Sequence, residues 1–377
     1  MNAPNNHLRA LLKRIVTFGM LSVVVFTVAV ATGLAGGTVA HASTPTYTIT
    51  DLGTLGYNTT VGYGINANGQ ITGRSYLQQT VPVTQGCPPR HKCFAHVYHA
   101  FLWSNGTMTD LGTLGGTFSE ARALDTADVV GTSTLSGTSF TPTHAFLDHN
   151  GHMTDLGTLG GSCSYAYAIN DLGEVVGQAC STSNQHAFLW SNGKMTDLGT
   201  LGGLTSSASG INSSHQVVGS SETSTTFSST MHAFLWSNGK MTDLGTLGGS
   251  DSIAYAINNA GQVVGYASPP NSSVHAFLYS GGKMTDLGVF FDSSVAEAIN
   301  TSGVVVGTAD VLNSNGTTAN HAFIYNGGKL QDLNTLIPPG SGWVLSEATG
   351  INDTGQIVCN AYNTTTGYTH AFLLNPI

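Results

Sequence analysis

Three short motifs each recur seven times along the chain, and a period of that length decides the fold before any other feature does. The triplet His-Ala-Phe begins at His99, His144, His186, His232, His275, His321 and His370. An Asp-Leu pair begins at Asp51, Asp110, Asp155, Asp197, Asp243, Asp286 and Asp332. A third marker, usually Ile-Asn, places its polar residue at Asn66, Asp125, Asn170, Asn212, Asn258, Asn300 and Asn352. Most steps between equivalent markers fall between 42 and 49 residues.

Each unit resolves into two hairpins. In the stretch Ala-Tyr-Ala-Ile-Asn170-Asp-Leu-Gly173-Glu-Val-Val-Gly, a four-residue turn joins two apolar runs. Asn first and Gly fourth suit a type I turn closed by a residue of positive φ. Five of the seven turns carry that Gly, and Asp128 and His215 are expected to fill the same left-handed place in the others. Asn192-Gly193, between His-Ala-Phe-Leu-Trp190 and Met-Thr-Asp-Leu, is the strongest short hairpin signal. Four strands per unit follow: a (Ala-x-Ala-Ile-Asn), b (Val-Val-Gly), c (His-Ala-Phe-Leu-Trp) and d (Met-Thr-Asp-Leu-Gly).

Four strands in about 45 residues fit the blade of a β-propeller, with a stack of open sheets as the rival. Blades crowd at the axis and splay outward. Strand a has small residues at alternate places (Ala121 and Ala123, Ala166 and Ala168, Gly62 and Gly64), whereas strand c is bulky on both faces. A lone strand d opens the repeats (Tyr47-Thr-Ile-Thr-Asp51-Leu) and a lone strand c ends them (His370-Ala-Phe-Leu-Leu). Pairing these two completes a seventh blade, whereas a solenoid would need polar caps at its ends. The expected fold is all-β: a seven-bladed propeller closed between its two termini.

The His-Ala-Phe triplet, the Asp-Leu-Gly-Thr-Leu-Gly-Gly stretch and the Ile-Asn-x-x-Gly-x-Val-Val-Gly stretch together resemble the HAF family of extracellular repeats. The resemblance spans residues 47–377 and implies a secreted or surface protein of tandem repeats, without a defined reaction or ligand. Cys359 departs from the pattern by standing where other units have Gly, and Arg122 places a charge on an inner strand.

Residues 1–42 read as a signal peptide: Arg9, Lys13 and Arg14 precede an uncharged apolar run from Ile15 to about Leu34, and Ala40-His41-Ala42 offers a small-x-small cleavage site. Left uncleaved, that run is long enough to span a bilayer as an anchor. Cleavage would remove three cations and take the formal charge from −9 to −12. With 8% charged residues, the chain lacks the Lys/Arg clusters that nucleic-acid binding requires. No later run suits a membrane span. A soluble, secreted monomer built from residues 43–377 is expected.

Seven histidines suggest a metal, but equivalent strands lie too far apart to share an ion. In the hairpin register set by Asn192-Gly193, Phe188 opposes Asp197, making His186 the diagonal neighbour of Asp197 on the same face. His186 and Asp197 therefore read as a tie between strands c and d, and ring closure predicts the same tie between His370 and Asp51. Cys163 and Cys180 stand at equal distances from the Asn170–Gly173 turn and are expected to form a disulfide. Cys87 and Cys93 could close a small loop in the longest insertion, leaving Cys359 odd. A zinc site from Cys87, Cys93, His91 and His96 lacks a second Cys-x-x-Cys pair. Neither a metal nor a cofactor is expected.

No nucleophile elbow, zinc-protease helix, P-loop or calcium loop is present in the sequence. Glu120, Glu297 and Glu347 could form a carboxylate pair for glycoside chemistry, but exposed strand ends are the simpler expectation. Marker spacing is rigid except between strands b and c, and binding commonly lives where loops vary. The candidate ligand face therefore holds these loops and the variable start of strand a: Tyr63, Glu120, Arg122, Tyr165, Tyr167, Tyr255, Glu297 and Glu347. The longest loop adds a basic cluster of Arg74, Arg90, His91 and Lys92. Tyrosines beside charges suit sugars. The expectation is a non-catalytic extracellular binding or scaffold module for a glycan or another protein; a purely structural matrix repeat and a propeller enzyme acting on glycans are the alternatives.

Overall fold

A computed structural model describes residues 46–83, 93–136, 142–225 and 230–377, all within the unit Ser43–Ile377. The expected signal segment, Cys87, Arg90, His91 and Lys92 lie outside the described residues. Seven four-stranded antiparallel sheets form a ring. Blades one to six run in chain order from Thr60–Gly112, Ser119–Asp155, Ser164–Asp197, Ser206–Asp243, Ser252–Gly288 and Ser294–Asp332. Blade seven takes strands a, b and c from Trp343–Ile351, Ile357–Asn363 and Thr369–Pro376, and strand d from Tyr47–Asp51. The last two strands pair from Tyr47 opposite Pro376 to Asp51 opposite Phe372, so the ring closes as expected. Among the described residues no helix is long and apolar enough to cross a membrane.

The His-Ala-Phe triplet divides three tasks among three adjacent residues. His binds its own blade: Phe188 pairs with Asp197, and His186 Nδ1 lies 2.8 Å from Asp197 Oδ2. All seven blades have this contact at 2.6–2.9 Å, including His370 with Asp51. Ala binds the next blade: the Ala187 amide donates to Ser206 Oγ at 2.8 Å, and four other blade pairs repeat the bond. Phe fills the seam. Phe101, Phe146, Phe188, Phe234, Phe277 and Phe323 are fully buried.

The core is accordingly divided among the seams and not gathered in one mass. Val130, Ala145 and Leu156 of blade two pack with Ala166, Val175 and Phe188 of blade three, and blades four and five repeat the pattern. Asp carboxylates do double duty, because Oδ1 also accepts the amide two residues on, as from Gly112 to Asp110 at 2.8 Å. Burial pushes the Asp51, Asp110 and Asp332 carboxyls up, but the His hydrogen bonds and the turn amides outweigh it and hold all three below the ordinary carboxylate range.

Two turn expectations separate here. His215 takes the left-handed place with φ of 58°. Asp128 does not, because its turn is one residue shorter: the Asp125 amide bonds Asp128 O, and Asp128 opens strand b opposite His149. The longest insertion is also less of a loop than expected. Strands b and c of blade one extend as a ribbon over Ile71–Val83 and Cys93–Ser104. Cys163 and Cys180 are bonded, with Cα atoms 5.1 Å apart. Cys93 is also disulfide-bonded.

Candidate functional site

The axis of the ring is lined by strand a of every blade, and each of these strands carries an extra residue relative to strand b at one common place. The register skips between Gly62 and Gly64, Ala121 and Ala123, and Ala166 and Ala168, and at the equivalent place in the other four blades. Such β-bulges leave one residue unpaired and re-aim its side chain. The seven residues are Tyr63, Arg122, Tyr167, Ser209, Tyr255, Glu297 and Thr349. All but Tyr167 line an axial cavity of about 220 Å³. The motifs around them repeat, whereas these seven residues are of five kinds.

The bulge explains a recurring glycine. Where strand a bows, its carbonyl presses onto strand b, so a methyl group on Gly177 would overlap Tyr165 O; Gly73, Gly131, Gly219, Gly265 and Gly307 face the same clash. Cys359 occupies that place in blade seven. There Ala348 pairs with Cys359 as Ala166 does with Gly177, and strand a skips register a second time, at Leu345/Glu347. Cys359 is a free, buried thiol, and burial together with the Glu347 charge raises its pKa far above the usual range.

Charges gather on two sides of the axis. Glu120 holds Arg74 Nη1 at 2.9 Å and Arg122 Nε at 2.8 Å. Arg122 lies over the Tyr63 ring, 4.2 Å from its centroid, and Arg74 lies 5.0 Å from that of Tyr98. Burial, with the Glu120 and Glu347 charges, outweighs the nearby arginines and lifts the Tyr63 hydroxyl to about 12. Tyr165 and Tyr167 stack with centroids 6.5 Å apart. Across the ring stand Tyr255, Glu297 and Glu347. Glu347 accepts from Asn360 Nδ2 at 3.0 Å, and Asn360 also accepts the Gly62 amide of blade one at 2.9 Å. Burial, then the Glu347 charge, pushes the Glu297 carboxyl up to about 8.

These positions correct two expectations. Glu120 and Glu297 are not exposed strand ends: the Glu120 side chain is 16% exposed, and Glu297 faces the axial cavity. Arg74 does not belong to a basic loop but to strand b, opposite Val61. Of the zinc candidates, His96 stacks on Tyr57 with centroids 3.7 Å apart, and no group of metal-ligating side chains occurs among the described residues.

At the turn end of the axis the third marker forms a girdle that turn chemistry alone does not reveal. Asn170 Oδ1 accepts the Leu172 and Glu174 amides of its own turn, while Nδ2 donates to Asn212 O of the next blade at 3.1 Å. Asn66, Asn212, Asn258, Asn300 and Asn352 make the same link at 2.8–3.3 Å, the last returning to Asn66. Asp125 has no amide nitrogen, so the circle of seven has one gap, facing Asn170. The substitution Asp125→Asn should close it and raise stability by about 0.5–1.5 kcal/mol, the net worth of one hydrogen bond. Urea denaturation measures this, and an unchanged or lower midpoint would contradict the girdle's role.

A closed ring with an asymmetric axial cavity places the chain in the class of β-propellers. A family model described as a protein of unknown function, DUF3466, matches residues 280–372. No curated protein matches. Among solved structures, the β-propeller domain of the trilobed protease from Pyrococcus furiosus is similar at 9% identity and a TM-score of 0.55, over 84% of this chain and 92% of that one. That domain is described as having an open velcro topology, whereas here strand d of blade seven closes the ring. TolB from Acinetobacter baumannii aligns at 11% identity and a TM-score of 0.43, over 81% of this chain and 80% of that one.

Proposed function

We propose that the protein is a secreted, non-catalytic binding module of the HAF type that holds one extracellular ligand, a glycan or a protein segment, at its axial cavity. One observation carries this reading: on a scaffold whose seams and turns repeat, the seven bulged residues at the axis all differ in context and mostly in kind. A scaffold with equal weak sites on every blade has no use for that asymmetry; a single site requires it. Tyr63, Tyr167 and Tyr255 offer aromatic faces, and Arg122, Glu120, Glu297 and Glu347 offer polar contacts, a mixture suited to sugar rings. Export rests on the Arg9–Ala42 leader.

The carboxyl pair favours a second reading, an enzyme acting on glycans. Two acids on neighbouring blades, one of them pushed up to about 8, have the pattern of a proton donor beside a base.

A single experiment separates these readings. The chain is incubated with a panel of extracellular polysaccharides, and both retention and released product are measured. The binding reading expects saturable retention at one site per chain, no product, and at least about a tenfold loss of affinity in Tyr63→Ala, a typical hot-spot effect. Product that vanishes in Glu297→Gln would establish the enzyme instead. No retention and no product would leave a protein ligand or a structural repeat.

A further inference from the structure

The charges around the axial cavity balance with one exception. Arg74 and Arg122 both bind Glu120, and Glu347 has the Asn360 amide. Glu297, on strand a of blade six (Ser294–Ile299), lines the cavity yet has no hydrogen-bond donor or cation among the described residues. The two arginines are matched by Glu120 and Glu347, so an ionised Glu297 leaves one negative charge uncompensated. A carboxylate largely drawn out of water needs a partner or gives up its charge.

Resting on the glycan reading above, we propose that the ligand brings that partner: a primary ammonium docking on Glu297, so that the sugar is an amino sugar with its amine free. An anion would find both arginines already engaged, and a neutral sugar would leave the carboxyl unmatched. Tyr255 supplies an aromatic wall beside it, favourable to an ammonium. The cavity of about 220 Å³ falls below the ~300–1,000 Å³ of drug-sized sites. It therefore takes a terminal residue, not the middle of a chain.

Docking has a proton balance. The neutral carboxyl meets an ammonium already carrying its proton; the carboxyl ionises, its proton leaves to solvent, and an ion pair remains. The charge acting on Glu297 is that of Glu347 on blade seven; Tyr255 and Tyr266 on blade five feel the Glu297 charge in turn, and Tyr63 and the Arg122–Glu120 pair stand across the axis. Glu297 carries the charge change on docking, its carboxyl being pushed up to about 8. Affinity should therefore rise with pH below that value, by up to about tenfold per unit for one proton released.

Calorimetric titration of the intact protein with a glucosamine tetramer, its fully N-acetylated counterpart and a glucose tetramer tests this. Expected is at least tenfold tighter binding of the free amine, a tightening between pH 6 and 7, and a binding heat that differs between two buffers of unlike ionisation enthalpy by one proton. Glu297→Gln should make the three sugars equal; should that variant fail to fold, the buffer comparison on the unmutated chain decides alone. Equal or tighter binding of the acetylated or neutral tetramer overturns the ammonium inference and leaves the glycan reading standing. So does retention of another polysaccharide when the glucosamine tetramer fails to bind. If no tetramer and no polysaccharide binds, the glycan reading fails with it.

Discussion

Deletion of residues 46–52 is expected to lower the stability of the whole ring by at least about 5 kcal/mol and to make the protein self-associate. The segment is short, but it is the fourth strand of blade seven and touches the seams on both sides. Tyr47 and Ile49 pack against the cluster shared by blades six and seven, and Leu52, 5% exposed, fills the seam between blades seven and one. Losing one buried leucine side chain alone costs about 2–5 kcal/mol. Removing Asp51 also strips His370 of its acceptor. Strand c of blade seven, Thr369–Pro376, would then become a bare edge carrying Phe372 and Leu374, a template for pairing with another chain. Thermal melting and size-exclusion chromatography read both effects. A monomer melting within 2 °C of the intact chain would show that the ring does not depend on its closing strand.

The second large effect is expected from a single methyl group. Gly177→Ala puts that carbon onto the Tyr165 carbonyl, with Ala166 Cα at 3.0 Å behind it. The obstacle is backbone, which no rotamer change can clear. Overpacking ordinarily costs about 1–3 kcal/mol, and here the cost should reach about 3 kcal/mol or more, because relief requires strand a to give up its bulge. The natural comparison is Cys359, which stands at this place in the blade where strand a skips register a second time. Gly173→Ala is a useful contrast: it strains a turn at φ of 72° but meets no atom within 4 Å, so its cost is that of a left-handed alanine, roughly 1–2 kcal/mol. Urea denaturation of both variants measures the difference. Equal costs would mean that the carbonyl contact does not constrain strand b.

Much of the fold was legible because a repeat tests each expectation seven times. His186 opposite Asp197 followed from the position of Asn192-Gly193, and Cys163 with Cys180 from their equal offsets about a turn. The tie of His370 to Asp51 followed from the phase of the repeats. The axial site was only half legible. Its residues were picked out by their variability, but an extra residue in strand a reverses the parity of everything before it. Glu120, just before a bulge, therefore reads as an exposed end when it is held between Arg74 and Arg122, and Glu297, the bulged residue itself, when it lines the axial cavity. The signal that could have revealed the bulge was the Gly that recurs at this place in every unit but the one with Cys359, which marks a close approach of backbone. The Asn girdle stayed hidden for a different reason: an Asn that opens a turn needs no further explanation. Only the single Asp125 among six asparagines hinted that its amide nitrogen had a use.

The bulges have a consequence for how such a protein can change over time. Folding is secured by His, Ala, Phe, Ser and Asn, which all point into seams, turns or the girdle. Most bulged residues are excused from these duties, since they pair with no partner on strand b; Thr349, whose hydroxyl donates to Gly62 O of blade one, is the exception. Mutations at the other places can therefore accumulate one at a time with little effect on the ring. Duplicated copies of such a gene could diverge in what they recognise long before they diverge in shape.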